Sequence, residues 1–161
     1  MNGAGVVAEI LKREGTTFLS AYPRNALIEA CADIDIRPIF CRQERVGVGI
    51  ADGFSRVKKG RVNGVFAAQH GPGIENAYAG VAQAFSENVP VLIIPAAHAL
   101  SRQSVRPSYR AADSMASVSK YAALASNVQQ LPSLMRRAFQ ALRSGRGGPV
   151  IVEIPDEIFE A

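Results

Sequence analysis

A glutamate follows an apolar stretch of the chain at a point where carboxylates can meet ligands. Glu44 lies in the polar segment 41–45, between the apolar run 36–40 and a segment of helical periodicity at 46–56. In an open parallel α/β sheet, ligands bind in the crevice at the carboxyl ends of the strands, where the following helices begin. Glu44 is therefore a candidate ligand-binding or catalytic carboxylate. The alternative is a first-turn acid that only favours the helix dipole.

A second polar group precedes another predicted helix. Gln69 and His70 stand before Gly71 and Gly73, and such glycines let the backbone approach a ligand closely. The segment has neither the GxGxxG nor the GxxxxGK[ST] pattern, so it is not a dinucleotide fingerprint or a P-loop. His70 and His98 are each, taken alone, more typical of a polar residue satisfied by a neighbour. Without carboxylates at suitable spacing, the two histidines do not predict a metal site.

Hydrophobic periodicity alternates between strand and helix along the chain. The predicted strands are 17–21, 37–40, 64–68, 89–94, 121–125 and 149–154, and the helices are 5–13, 26–32, 46–58, 74–85 and 131–143. This alternation predicts an α/β fold: a three-layer α/β/α arrangement with a six-stranded, mainly parallel sheet, in a single domain over residues 1–161. The polar segment 97–113 is predicted to be a long loop, and loops of this length are often functional.

Composition excludes several classes of function. The net charge of +4 comes from scattered residues, 18 Lys and Arg against 14 Asp and Glu, and the chain has no Trp, so nucleic-acid binding is not expected. Cys31 and Cys41 lack a CxxC spacing, which argues against a zinc site or a disulfide. Neither a signal-peptide pattern nor a long apolar run is present, so we expect no membrane segment and a cytoplasmic location.

The helix after Glu44 is rich in small residues. Each glycine in it costs about 1 kcal/mol of helix propensity relative to alanine. Two pairs at a spacing of four, Gly47 with Ala51 and Gly49 with Gly53, form flat strips that suit close packing. The sequence leaves two interpretations open: packing within the domain against the sheet, or packing against a partner subunit.

These stretches together resemble the pyrimidine-binding (PYR) domain of thiamine-diphosphate-dependent enzymes of the acetolactate synthase and 2-oxoacid decarboxylase type. The resemblance covers nearly the whole chain, and the order and intervals of its motifs make it specific. In chain order the matching stretches are Tyr22-Pro23, Gln43-Glu44, Ala51-Asp52-Gly53-Phe54-Ser55-Arg56, Gly71-Pro72-Gly73-Ile74-Glu75-Asn76, Val89-Pro90-Val91, Gly147-Gly148-Pro149-Val150 and Ile154-Pro155.

The resemblance implies thiamine diphosphate as the cofactor and Glu44 as the catalytic residue. Glu44 would hydrogen-bond a ring nitrogen of the aminopyrimidine and favour its imino tautomer. Because the cofactor performs the difficult chemistry, the protein is expected to position it and tune it. The cofactor-binding residues implied by the resemblance are Tyr22, Pro23, Glu44, Gly71, Gly73 and Asn76.

Departures from the family pattern bear on the substrate, which the resemblance implies to be a small 2-oxoacid. Arg24 and Asn25 replace the usual Gly-Gly after Tyr22-Pro23, and Arg110 falls where synthases tend to have Gln. Two added guanidinium groups near the pocket mouth would suit an extra anionic group, such as a sulfonate, a phosphonate or a second carboxylate. The substrate residues expected on this basis are Arg24, Asn25, Gln69, His70 and Arg110.

The resemblance also implies partners. The family holds Mg²⁺ and the diphosphate on a second domain (PP) through a Gly-Asp-Gly motif, and no Gly-Asp-Gly occurs in this sequence. Decarboxylases of sulfopyruvate and phosphonopyruvate are known in split form, so we expect a PYR subunit or domain that is inactive without a separate PP domain and self-associates. Decarboxylation is favoured, and acetolactate-synthase-like carboligation is the alternative.

Two interpretations from other classes remain open. One is a non-catalytic assembly or regulatory module of the same fold, against which the presence of Glu44 argues. The other is a small flavodoxin-like nucleotide-binding protein, which the absence of a Gly-rich phosphate loop after the first strand disfavours.

Overall fold

Six strands form one parallel sheet in a computed structural model that describes residues 1–103 and 105–161. The strands are β1 (Phe18–Ala21), β2 (Arg37–Phe40), β3 (Gly64–Ala68), β4 (Val91–Ala97), β5 (Tyr121–Leu124) and β6 (Val150–Pro155). Their order in the sheet is β2-β1-β3-β4-β6-β5, and every neighbouring pair is parallel. The predicted six-stranded sheet is confirmed.

Helices cover both faces of this sheet. They are α1 (Gly3–Arg13), α2 (Leu27–Ala32), α3 (Glu44–Val57), α4 (Pro72–Ser86), α5 (Ala111–Ser114), α6 (Leu131–Arg143) and α7 (Asp156–Glu160). One hydrophobic cluster joins α1, α2, α6 and α7 to the sheet, and a second joins α3, α4 and α5 to its other face. The predicted three-layer α/β/α arrangement is therefore confirmed. Within the described ranges, no helix combines the length and the apolar character that a membrane span needs.

The central strands are buried along their whole length, as expected for parallel strands covered on both faces. Alternate side chains point to opposite layers. In β6, Val152 packs in the α1/α6 cluster and its neighbour Ile151 packs in the α3/α4 cluster. The next residue along, Glu153, is the one ionisable residue among the six of this strand.

The structure differs from the predictions at particular boundaries. Helix α3 begins at Glu44, two residues before the predicted start, and β4 runs to Ala97 rather than to residue 94. Helices α5 and α7 lie in segments where no helix was predicted, since elements of four and five residues carry too little periodicity to be recognised. Ser104, in the predicted loop 97–113, lies outside the described residues.

The strand order places a switch point beside β1. From β1 the chain crosses to β2 on one side, and β3 then adds on the other side. In open α/β sheets, the crevice outside the carboxyl ends of the strands at such a point is where ligands bind. The segments that begin there follow β1, β2 and β3, and they carry the residues singled out from the sequence.

Candidate functional site

Glu44 is the first residue of α3 and only 6% of it is exposed. Its Oε2 accepts a hydrogen bond of 2.5 Å from Nδ2 of Asn76, which lies in the first turns of α4. In the part of the chain that the structure describes, no Lys, Arg or His forms an ion pair with it. Glu44 is thus a first-turn acid, as the alternative interpretation held, but it also lies buried against a second helix.

One glycine lies beside this carboxylate, and a second shapes the turn that leads into α4. A Cβ at Gly73 would lie 3.4 Å from Oε1 of Glu44 and 2.4 Å from Cγ of Gln69, so a larger residue there would collide with Gln69. Gly71 has a φ of +60°, a conformation that favours glycine. The glycines therefore let the turn between β3 and α4 pass close to Glu44 and Gln69.

The loop after β1 is tied to the neighbouring strand ends. The backbone N–H of Tyr22 donates to the carbonyl of Ala67 at 3.1 Å. Nδ2 of Asn25 donates to the carbonyls of Ala68 and Ile94, at 2.9 and 3.1 Å, and its Oδ1 accepts from the N–H of Leu27 at 3.0 Å. Asn25 is 5% exposed, and these bonds link the loop after β1 to the end of β3 and to the middle of β4. Contact with a substrate would require it to exchange one of these bonds.

The two arginines of interest line different clefts. Arg24 is exposed and lines a cleft of about 410 Å³ together with Pro23, Phe40 and Asp156. Arg110 precedes α5, pairs with Asp113 at 3.1 Å and lines a smaller cleft. The arrangement expected from the sequence, with both guanidinium groups at one pocket mouth, is not what the described residues form.

His70 and His98 lie side by side, although the sequence treats each as isolated. They follow the neighbouring strands β3 and β4, and their ring centroids are 4.0 Å apart. Burial lowers the pKa of His70, and the nearby charges of His98 and Arg24 lower it further, while Asp156 opposes the shift. The parallel pairing of β3 and β4 brings the rings together, and no local sequence pattern could have shown this contact.

Glu153 is a buried carboxylate that the sequence analysis did not select. It is 1% exposed, and its two oxygens accept hydrogen bonds from the N–H groups of Ala111 and Ala112, at 3.0 and 2.8 Å. Burial raises its pKa; the two amide bonds and Arg110 act in the opposite direction. An ionisable residue within an apolar predicted strand was the signal that could have found it.

The small-residue helix has two different sides. A Cβ at Gly47 would lie 2.2 Å from the ring of Phe66, so the strip formed by Gly47 and Ala51 packs against the sheet. At Gly49 and Gly53 a Cβ would meet no atom within 4 Å among the residues that the structure describes. The interpretation of packing within the domain is confirmed for the first strip, and the second strip faces open space.

Neither cysteine belongs to a metal or disulfide arrangement in the described residues. Cys31 is buried, Cys41 is half-buried, and both are free thiols. No group of three or more His, Cys, Asp or Glu side chains gathers at a distance suited to a metal ion in residues 1–103 and 105–161.

Comparison with known families agrees with this geometry. The family model described as "Thiamine pyrophosphate enzyme, N-terminal TPP binding domain" matches residues 1–125. The chain belongs to this family of thiamine pyrophosphate enzymes. The match contains β1 to β5 and with them Glu44, Gly73 and Asn76.

Curated relatives of this thiamine pyrophosphate enzyme domain match it over almost its whole length. The acetolactate synthase large subunit of Haemophilus influenzae is 30% identical over 98% of this chain and 28% of its own length. Acetolactate synthase 2, chloroplastic, of Nicotiana tabacum is 32% identical over 97% of the chain and 24% of its own length. The acetolactate synthase isozyme 2 large subunit of Escherichia coli is 31% identical over 98% of the chain and 29% of its own length. The chain thus spans between 24% and 29% of the length of these relatives.

Proposed function

We propose that this chain is the PYR part of a thiamine-diphosphate-dependent enzyme that acts on a 2-oxoacid, with Glu44 as its catalytic residue. The observation that carries the proposal is the buried Glu44 carboxylate, which lies at the switch point of the sheet and has a side-chain amide but no cation as partner among the described residues. A buried carboxylate in this state is poised to accept a hydrogen bond from a ligand.

In this proposal the residues around Glu44 hold the pyrimidine half of the cofactor. Oε1 of Glu44 faces Gly73, where the absence of a Cβ preserves room beside the carboxylate. A flat heteroaromatic ring with a nitrogen donor suits such a space. In this proposal Gly71 and Gly73 form its wall, and Tyr22 and Pro23 enclose it from the end of β1.

The roles of the protein groups follow from these positions. Thiamine diphosphate, when bound, supplies the nucleophilic carbon and the electron sink for cleaving the bond beside the substrate carbonyl. Glu44 would accept a hydrogen bond from a ring nitrogen of the aminopyrimidine and would thereby favour its imino tautomer. Asn76 holds Oε2 in place, so that Oε1 keeps a fixed direction. In this proposal Gln69 and His70, from the turn between β3 and α4, and Arg24, from the loop after β1, contact the substrate.

Two reaction types are compatible with this proposal. We favour decarboxylation of a 2-oxoacid that carries an additional anionic group, because Arg24 is exposed and forms no ion pair with another described residue. Arg110 would have to break its ion pair with Asp113 before it could bind the same anionic group as Arg24. Carboligation is the second candidate, because the curated relatives described above are acetolactate synthases. Product analysis with pyruvate and with a 2-oxoacid that carries a second anionic group distinguishes them: an aldehyde indicates decarboxylation, and acetolactate from pyruvate indicates carboligation.

A PP domain has to complete the site. The 161 residues contain no Gly-Asp-Gly motif, which the family uses for Mg²⁺ and the diphosphate. We propose that a separate PP subunit supplies it and that the chain alone is inactive. The outward strip of Gly49 and Gly53 is the surface we propose for self-association of PYR domains, because a Cβ at either position would meet no atom of the described residues within 4 Å.

The decisive experiment compares three versions of the chain reconstituted with the PP partner. Wild type, Glu44→Gln and the control Glu75→Gln are assayed for thiamine-diphosphate-dependent release of CO₂ from 2-oxoacids. We expect Glu44→Gln to lose about 100-fold or more in kcat, the scale of a lost proton-transfer group, while it still assembles. Glu75, an exposed acid in the same first turn of α4 as Gly73, should tolerate the change. A fully active Glu44→Gln enzyme would overturn the mechanism, and a wild-type chain that binds no cofactor would indicate a non-catalytic module.

A further inference from the structure

A buried hydroxyl group lies beneath the helix that begins with Glu44. Ser20 is the third residue of β1 and is fully buried. Its neighbours Leu19 and Ala21 pack in the cluster that holds α1 and α6, so the alternation along the strand turns Ser20 towards the layer of α3 and α4. The Oγ of Ser20 donates a hydrogen bond of 2.8 Å to the carbonyl oxygen of Gly47 in α3. This bond ties the helix to the sheet.

The bond depends on a close approach of α3 to the sheet. A Cβ at Gly47 would lie 2.2 Å from the ring of Phe66 and 2.9 Å from Sγ of Cys41. Phe66 is the residue of β3 that stands opposite Ser20 in the parallel pairing of the two strands. The hydroxyl of one strand and the ring of the next therefore meet the same turn of the helix. Because Gly47 has no side chain, its backbone comes within hydrogen-bonding distance of β1.

This turn of the helix also carries the carboxylate. Gly47 follows Glu44 by three residues, about 4.5 Å along the helix axis. The side chain of Gln43, at the N-cap, makes no capping hydrogen bond within the part of the chain that the structure describes. Two hydrogen bonds from other elements hold the turn: Asn76 of α4 donates to Glu44, and Ser20 of β1 donates to Gly47. One comes from the helix layer and the other from the sheet, so they fix the turn in two directions.

We propose that Ser20 is a positioning residue, which fixes the first turn of α3 against β1 and thereby fixes the Glu44 carboxylate relative to the ends of the strands. The role of Glu44 itself rests on the proposed function. Because Ser20 is fully buried beneath the helix, it acts through Glu44 rather than on a ligand. In an α-helix the carbonyl of Gly47 also accepts the N–H four residues further on, so removal of the hydroxyl loosens the turn without leaving that carbonyl unpaired.

Hydrogen–deuterium exchange on the full chain tests the anchor, and the chain offers a matched control. Ser55 is a buried serine near the other end of α3, and its Oγ donates to the carbonyl of Pro90. Ser20→Ala should speed exchange of the Gly47 amide by about 10-fold and leave that of Lys58, which follows the helix, unchanged. Ser55→Ala should show the opposite pattern. An unchanged Gly47 amide in Ser20→Ala, or equal acceleration at both ends, would overturn the proposal.

Kinetics of the complex with the PP partner test the link to Glu44. Ser20→Ala should lower kcat about 10-fold and keep KM for the 2-oxoacid within about twofold, since a misplaced catalytic group slows the reaction without removing a substrate contact. Ser55→Ala should keep the wild-type kcat. An unchanged kcat in Ser20→Ala, or an equal loss in Ser55→Ala, would refute the positioning role.

Failure of the proposed function is recognised separately. The wild-type complex would then show no cofactor-dependent turnover, and the positioning role of Ser20 would fall with it. The exchange rates would still decide whether Ser20 anchors the first turn of α3.

Discussion

Glu44 and Glu153 are two buried carboxylates on the same side of the sheet, and they differ in what satisfies them. Both oxygens of Glu153 accept hydrogen bonds from backbone N–H groups of α5, so both have partners within the domain. Glu44 receives one side-chain amide at Oε2, while Oε1 faces a glycine. A carboxylate whose two oxygens both accept backbone N–H groups holds a segment in place. A carboxylate with only one oxygen bonded to its own domain is available to a ligand. Burial alone therefore does not identify a catalytic acid.

We expect the largest difference in the free energy of unfolding between the alanine variants of these two residues. Glu153→Ala leaves the N–H groups of Ala111 and Ala112 without their buried acceptors, so we expect a loss of about 2–4 kcal/mol in the free energy of unfolding. Glu44→Ala removes one hydrogen bond and should cost about 1 kcal/mol. Urea denaturation of the two variants measures both values, with Glu157→Ala as an exposed control. Equal losses for Glu44 and Glu153 would contradict the comparison.

The pH dependence of stability should sharpen the same contrast. Because burial raises the pKa of Glu153, the folded state keeps a proton that the unfolded state has released once the pH exceeds the ordinary carboxyl value. The stability contributed by this proton is fully present at low pH and is lost as the pH rises through the raised pKa. Unfolding of wild type and Glu153→Gln is compared from about pH 4 to pH 7.

The wild type should lose stability relative to Glu153→Gln as the pH increases across that range. Glu9→Gln, which changes an exposed carboxylate in a surface ion pair, serves as the control and should not alter the slope in this way. A constant difference between wild type and Glu153→Gln at all pH values would show that the carboxyl of Glu153 titrates normally.

The smallest expected change concerns the partner of Glu44. Asn76→Ala removes the amide that donates to Oε2, which should cost about 1 kcal/mol in stability and lower kcat less than Glu44→Gln does. Gln83→Ala, an exposed polar residue of the same helix, is the matched control. If Asn76→Ala abolished activity as completely as Glu44→Gln, the amide would be as important as the carboxylate.

Much of the fold follows from patterns within short segments. Hydrophobic periodicity predicted strands at β3, β4 and β6, and apolar residues at helical spacing predicted α1, α4 and α6, each within a few residues of its ends. Helix α5 escaped prediction because it depends on Glu153, which lies about 40 residues further along the chain. A helix held by a distant carboxylate leaves no periodic signal in its own sequence.

The sequence by itself determined that the carboxylate of Glu44 would follow β2, and that a glycine-rich turn and the amide of Asn76 would follow β3. Local order and spacing carry that information. The tertiary structure alone decided which of them touch. It joined Glu44 to Asn76 and brought the ring of His70 against that of His98. It also linked Asn25 to β3 and β4, and it directed Arg24 and Arg110 to separate clefts. The physical reason is that these contacts join residues brought together by strand order, which is set by the packing of the whole sheet.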